Sequence, residues 1–274
     1  MTTDLLSLIP YEVGRFSYVP GTRPYLFLLV LSSEALRAVG VLEKIIRIFA
    51  ENGISLLQLK VSASSGGKLS IVLIADFKGR EHLLEHVSRE LSKVEFVESV
   101  RVIPPVVEGV VVDALSFPLT LMGQRVVIYR RAVYEGFIKS GWSRFGSAYG
   151  VLLYLAGFEA GRLAYRDHAQ LVRDPLAQVR LAEALFQMLG YGILRVVRLD
   201  DERREAVARV YESFECELFK GAGEIRGGFV RGLIAGWLAE RWGVKEEDIL
   251  AREVKCIARG DPYCEYNIRV EGGK

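Results

Sequence analysis

The residues best suited to chemistry in this sequence are three cysteines and a glutamate: Cys216, Glu253, Cys256 and Cys264. Between the last two cysteines stands Arg259-Gly260-Asp261-Pro262, which reads as the turn of a hairpin. With Gly260 at its centre, Cys256 and Cys264 become opposed partners on neighbouring strands, their Cβ atoms about 4.5–5.5 Å apart. That separation suits two thiolates sharing one tetrahedral zinc. It equally suits a cross-strand disulfide or two reduced, buried thiols, and all three readings stand. Glu253 lies three residues before Cys256, and positions i and i+3 of a regular strand face opposite ways. Glu253 therefore joins the thiols only where the strand bulges or begins between them. Cys216 on the neighbouring strand, another residue or water would complete the set. A thiolate-rich set without an assigned open position points to a structural ion, not a hydrolytic one.

No other constellation of this kind emerges. His82 and His86 are four apart on a helix, a spacing that can hold a metal but that also marks a solvated face, and His168 has a surface or capping position as its default. There is no Ser/His/Asp set, and the glycines do not follow a strand as a phosphate-binding loop would. These features predict a binding protein, not an enzyme.

The elements that must position the cluster are legible from periodicity. Residues 25–31 form a continuous apolar strand. Val41, Ile45, Ile46, Ile48 and Phe49 keep helical spacing up to Asn52-Gly53, a helix stop. Strands at 54–63 and 69–77 flank a Gly-Gly turn at 64–68, and a helix at 81–93 and a strand at 97–103 complete a βαββαβ order. Residues 1–22 read as an irregular leader, and Pro104-Pro105 opens a linker over 105–114. Beyond it, helices are predicted near 149–164, 175–188 and 230–242. Strands are predicted at 193–199, 206–219, 249–258 and 263–270. The fold class is α+β, a ferredoxin-like βαββαβ domain followed by a mixed domain with an antiparallel sheet and packed helices. Gly157 and Gly161, and Gly228, Gly232 and Gly236, recur every four residues and leave bare stripes on two helices. Each such glycine costs about 1 kcal/mol against alanine. Either a close backbone crossing or a ligand lying on the helix would explain them. Tyr134, Trp142, Phe145 and Tyr149 make an aromatic segment suited to a core or a dimer surface.

Composition bounds the rest. The 274 residues carry 36 basic and 34 acidic side chains, a net charge of +2 with no basic stripe, which argues against a nucleic-acid partner. The apolar runs near 26–31 and 151–158 are too short for a bilayer, and no signal peptide is evident, so a cytoplasmic protein is expected, with no membrane contact. Arg and Glu are plentiful while Cys and Met number three each, a balance suited to a hot environment.

Two family resemblances follow from these motifs. Gly40-Val41-Leu42 through Ala50-Glu51-Asn52-Gly53-Ile54, in βαββαβ order over residues 23–104, resembles an ACT domain. That resemblance implies a small effector bound near Gly40, where the first strand turns into the first helix, or a dimerisation module. The second rests on Gly157-Phe158-Glu159-Ala160-Gly161, Tyr211-Glu212-Ser213-Phe214-Glu215, Arg252-Glu253-Val254-Lys255-Cys256, Gly260-Asp261 and Cys264. Residues 115–274 thereby look like a 4-vinyl-reductase (4VR) domain, found in hydrocarbon sensors and in a bacteriochlorophyll-synthesis protein. It implies zinc on Glu253, Cys256 and Cys264. The family's further cysteine falls near Gly227 here, which leaves Cys216 as the remaining thiol. It also implies an enclosed apolar cavity, for which motif position offers Phe158, Glu159, Arg162, Tyr211, Phe214 and Trp237. The function so implied is a regulatory or sensor protein binding a small apolar or aromatic molecule, as a homodimer acting on a protein partner. A vinyl-tetrapyrrole reductase or its accessory factor, and a non-catalytic assembly scaffold, are the alternatives.

Overall fold

The structure, a computed structural model, describes residues 8–62 and 66–271. The chain forms two compact units, Met1–Val127 and Ile128–Lys274, both mixed α and β with antiparallel sheets. Among the described residues no helix is long and apolar enough to cross a membrane.

The first unit contains β1 (Phe16–Tyr18), β2 (Pro24–Ser32), α1 (Val41–Glu51), β3 (Ser55–Val61), β4 (Lys68–Asp76), α2 (Leu84–Ser92), β5 (Val97–Ile103), β6 (Val110–Val112), β7 (Thr120–Leu121) and β8 (Gln124–Arg125). Its main sheet runs β3-β4-β2-β5, and all its pairings are antiparallel. The centre of β2 is apolar without alternation because both its faces are covered. Phe27, Leu29 and Leu31 pack with Val41, Ile45 and Phe49 of α1, while Leu26 and Leu28 pack with Val72, Ile74 and Val111. Gly40 takes φ 86° to open α1, and Gly53 takes φ 65° to close it. Parts of the segments read as leader and linker pair with each other: Phe16–Tyr18 lies along Val110–Val112, and the fully buried Val111 covers the second sheet face; residues 1–7 of the leader lie outside the described residues. The first compact unit runs on to Val127, beyond the linker placed at 105–114. The predicted turn at 64–68, and the last residue of the strand before it, lie partly outside the described residues.

The second unit contains α3 (Arg131–Phe145), α4 (Ser147–Leu171), α5 (Pro175–Met188), β9 (Ile193–Asp200), β10 (Glu205–Tyr211), α6 (Phe229–Trp242), β11 (Ile249–Lys255) and β12 (Cys264–Val270). The sheet runs β11-β12-β10-β9. Its inner face sends Leu194, Ala206, Ala208, Val210, Tyr266 and Ile268 into one core with the helices. Its outer face carries the ion pairs Arg209–Glu265 at 2.6 Å and Arg198–Glu205 at 2.7 Å. Asp174 caps α5 by accepting the Ala177 N–H at 2.7 Å, with Pro175 in the first turn.

The glycine stripes are filled by backbone. A Cβ on Gly157 would lie 2.1 Å from the Phe229 carbonyl oxygen, and one on Gly161 2.1 Å from that of Leu233. From the other side, a Cβ on Gly232 would meet the Tyr154 oxygen at 2.0 Å, and one on Gly236 the Phe158 oxygen at 1.9 Å. Helices α4 and α6 therefore cross main chain against main chain, which leaves no room for a ligand at these glycines.

One predicted element is shorter than expected. The strand placed at 206–219 ends at Tyr211, because Glu212 adopts φ 50° and turns the chain out of the sheet. Residues Cys216–Phe219 form a 3-10 turn, so Cys216 reaches the cluster from a turn and not from a neighbouring strand.

Candidate functional site

The thiol–carboxylate cluster depends on one extra residue in β11. Glu253 pairs with Tyr266 of β12, but the next pairing is Lys255 with Glu265, so Val254 is bulged out of the ladder. The bulge puts Glu253 and Cys256 on the same side. Both are buried, at 8% and 0% exposure, while Val254 is 37% exposed. Cys256 sits just past β11, where Asp261 accepts its N–H at 2.8 Å and Gly260, at φ 107°, closes the turn. The Cys264 sulfur accepts the Ile257 N–H at 3.5 Å, and the Cys216 sulfur lies 3.9 Å from Glu253 Oε1.

The three cysteines are free, and their sulfurs and a Glu253 oxygen all lie within 4.8 Å of one another. Tetrahedral zinc bonds of about 2.3 Å to sulfur and 2.0–2.2 Å to oxygen set ligand atoms roughly 3.5–3.8 Å apart, so a modest contraction completes the geometry. Burial first, and then the neighbouring Cys256, push the Glu253 carboxyl up to about 9. Hydrogen bonds from Cys216 and Cys264 draw Cys256 down, and the same contact with Cys256 pushes Cys216 up. Such a pocket cannot hold four anions unaided, and a dication reverses that constraint. Glu253 Oε2 is buried without a hydrogen-bond partner, an acceptor left unsatisfied at the edge of the cluster. The donor set fits a soft, four-coordinate divalent ion held by Cys216, Glu253, Cys256 and Cys264.

Gly227 explains how Cys216 enters the set. A Cβ on Gly227 would stand 3.0 Å from both the Cys216 sulfur and Glu253 Oε2. The bare backbone there leaves the space that the Cys216 sulfur borders. Next to Cys216, the fully buried Glu215 accepts the N–H groups of Gly228 and Phe229 at 2.8 and 2.9 Å and of Val230 at 3.0 Å. It thus caps α6 from a remote turn and satisfies three of the four orphan donors a helix leaves at its start. Sequence reasoning missed this role; an acidic residue followed by the Gly227-Gly228 helix entry was the available signal.

The second feature is a cavity of about 180 Å3 between α4, α5, α6 and the sheet. Small side chains open it: Ala160 and Ala164 on α4, Ala182 on α5, Ala206 and Ala208 on β10. Phe186, Tyr191 and Trp237 supply aromatic walls. His168 is its polar point, buried rather than on the surface or at a cap, and its Nδ1 accepts the Trp237 Nε1–H at 3.1 Å. Burial lowers the His168 pKa, so the ring is neutral and carries its proton on Nε2.

Of the residues singled out by motif position, Trp237 alone lines this cavity. Phe158 is 1% exposed and packs beside Tyr154 at the helix crossing. Glu159 and Arg162 pair with each other, and Arg162 also donates to Glu240 at 2.9 Å. Tyr211 packs at a tilt against Tyr263, over whose ring the outer-face Arg209 lies, and Phe214 sits among Tyr134, Tyr191 and Phe229. In the first unit, a Cβ on Gly40 would meet nothing within 4 Å, and His82 and His86 are exposed. Trp142 packs on Phe219, whereas Phe145 is 63% exposed and stacks on Tyr149.

No family profile matches the chain. A protein of Methanocaldococcus jannaschii, described as uncharacterized, is 30% identical over 120 residues, which are 44% of this chain and 64% of that protein; the match thus spans less than two thirds of the relative. Among solved structures, the phenol-responsive sensory domain of the transcription activator PoxR is similar with a TM-score of 0.49 and 17% identity, covering 54% of this chain and 78% of that domain. A vinyl-4-reductase family protein from Methanocaldococcus jannaschii is similar at TM-score 0.35 and 14% identity, over 54% of this chain and 85% of that one. The ACT domain of a GTP pyrophosphokinase from Chlorobium tepidum is similar at TM-score 0.25 and 16% identity, over 30% of this chain and 99% of that domain. None of these supplies a ligand or an activity for this chain.

Proposed function

We propose that Ile128–Lys274 is a small-molecule-binding module of a regulatory protein, that its ligand is an apolar or aromatic molecule of about one ring, and that the thiol–carboxylate cluster holds a structural zinc. The cavity carries this reading. Its volume of about 180 Å3 is close to the roughly 150 Å3 that accommodates benzene in an engineered apolar cavity. Its walls are alanine, aliphatic and aromatic side chains around one neutral imidazole, the composition expected of a specific small-ligand site. A vinyl tetrapyrrole is several rings across and exceeds this space. An assembly scaffold has no use for an unfilled core, since each void forfeits packing energy. The bound ring would sit against α5 and Trp237, and the state of those elements would be the signal.

Titration of the full chain with benzene and with phenol, followed by NMR shifts of cavity residues and by thermal unfolding, tests this. A saturable rise in Tm with perturbations confined to the cavity is expected. The effect should vanish in Ala208→Phe, which fills the space. Absence of any cavity perturbation at saturating probe would sink the proposal.

A further inference from the structure

We propose that Tyr266 is the outer-sphere anchor of the cluster, its hydroxyl donating to the Glu253 carboxylate and holding it in the orientation that ligates a divalent ion. This rests on the reading that Cys216, Glu253, Cys256 and Cys264 hold such an ion.

Three observations carry it. First, Tyr266 and Glu253 are direct cross-strand partners in β11 and β12, and both side chains point to the buried face. Opposed Cβ atoms are about 4.5–5.5 Å apart, within reach of a tyrosine and a glutamate. Second, Tyr266 is completely buried, the largest side chain to be so among the described residues. A buried tyrosine hydroxyl usually has a partner, because leaving it unpaired forfeits its hydration for nothing. Third, the hydroxyl of Tyr266 and Oε2 of Glu253 are both buried and both unpartnered. One is a donor, the other an acceptor, and they belong to directly paired residues. The two are complementary, and a bond between them would satisfy both.

With an ion on one Glu253 oxygen, the other is free to accept.

Tyr266→Phe removes one oxygen and keeps the ring. Zinc affinity of the full chain is measured by competition with a chromophoric chelator, and denaturant unfolding is followed with and without zinc. The expected result is opposed in sign. Zinc binding weakens by about tenfold or more, the usual effect of losing an outer-sphere partner. The metal-free variant is at least as stable as wild type, because an unpaired buried hydroxyl has gone. A purely structural tyrosine would lower both. Equal zinc affinity in the folded variant overturns the proposal. So does the absence of any tyrosine Cζ shift when zinc is added to 13C-tyrosine-labelled wild-type protein, a readout that needs no variant. A wild-type chain that takes up no zinc removes the metal reading itself, a result distinct from zinc uptake that Tyr266→Phe leaves unchanged.

Discussion

The two units bury their sheets by contrasting means. In Met1–Val127 both faces of β2 are packed by large aliphatic and aromatic side chains, with Val111 brought in to cover the second face. In Ile128–Lys274 the inner sheet face is partly alanine, and the helices above it leave about 180 Å3 unfilled. The second unit offsets that loss with tighter devices: a crossing of bare backbones, a carboxylate capping α6 and a buried cluster of three thiols and a carboxylate. A filled core needs only apolar volume, whereas a hollow one needs its walls fixed from outside.

The largest test of this contrast is the same substitution made once in each unit. Gly236→Ala puts a methyl where the Phe158 oxygen lies 1.9 Å away, so α4 and α6 must separate. The expected cost is about 3–5 kcal/mol by denaturant unfolding. Gly40→Ala meets open space and pays only for φ 86°, about 1 kcal/mol. Equal costs would break the comparison. An intermediate effect is expected for Glu215→Gln, which turns an amide donor toward the N–H groups of α6. About 2–3 kcal/mol of stability should be lost, with ligand affinity falling too if α6 is the wall that matters. The smallest concerns pH. Burial depresses the folded-state pKa of His168 below the ordinary histidine value of 6.5, so its contribution is complete above pH 6.5 and is lost as pH falls through the depressed value. Unfolding curves taken from pH 7 to 5 should decline more for wild type than for His168→Gln. Parallel curves would remove His168 from the account.

Much of this was legible in the residues, and what was not has physical causes. An unbroken apolar run located β2, which is covered on both faces, and a period of 3.6 located α1, which turns one face to its core. The condition set for Glu253, a bulge before Cys256, is met at Val254, since spacing alone states what geometry must supply. The end of β10 was missed because a glutamate at φ 50° carries no glycine-like mark. The β1–β6 ribbon was missed because three-residue strands far apart in sequence have no period to detect. The cavity was misplaced because large aromatics drew attention, whereas absent volume is what makes a hole. Ala206 and Ala208 on one face of β10, opposite Ala160 and Ala164 at helical spacing, were the readable sign.

The backbone crossing of α4 and α6 sets a rule for redesign. Two walls of the chamber meet without a side chain between them, so neither can be re-sculpted without parting the helices. Adjustable volume lies in α5 and in the strand alanines. A library confined to Val179, Ala182, Leu185 and Phe186 would therefore re-dimension the chamber for a larger or smaller guest while its frame stays as it is.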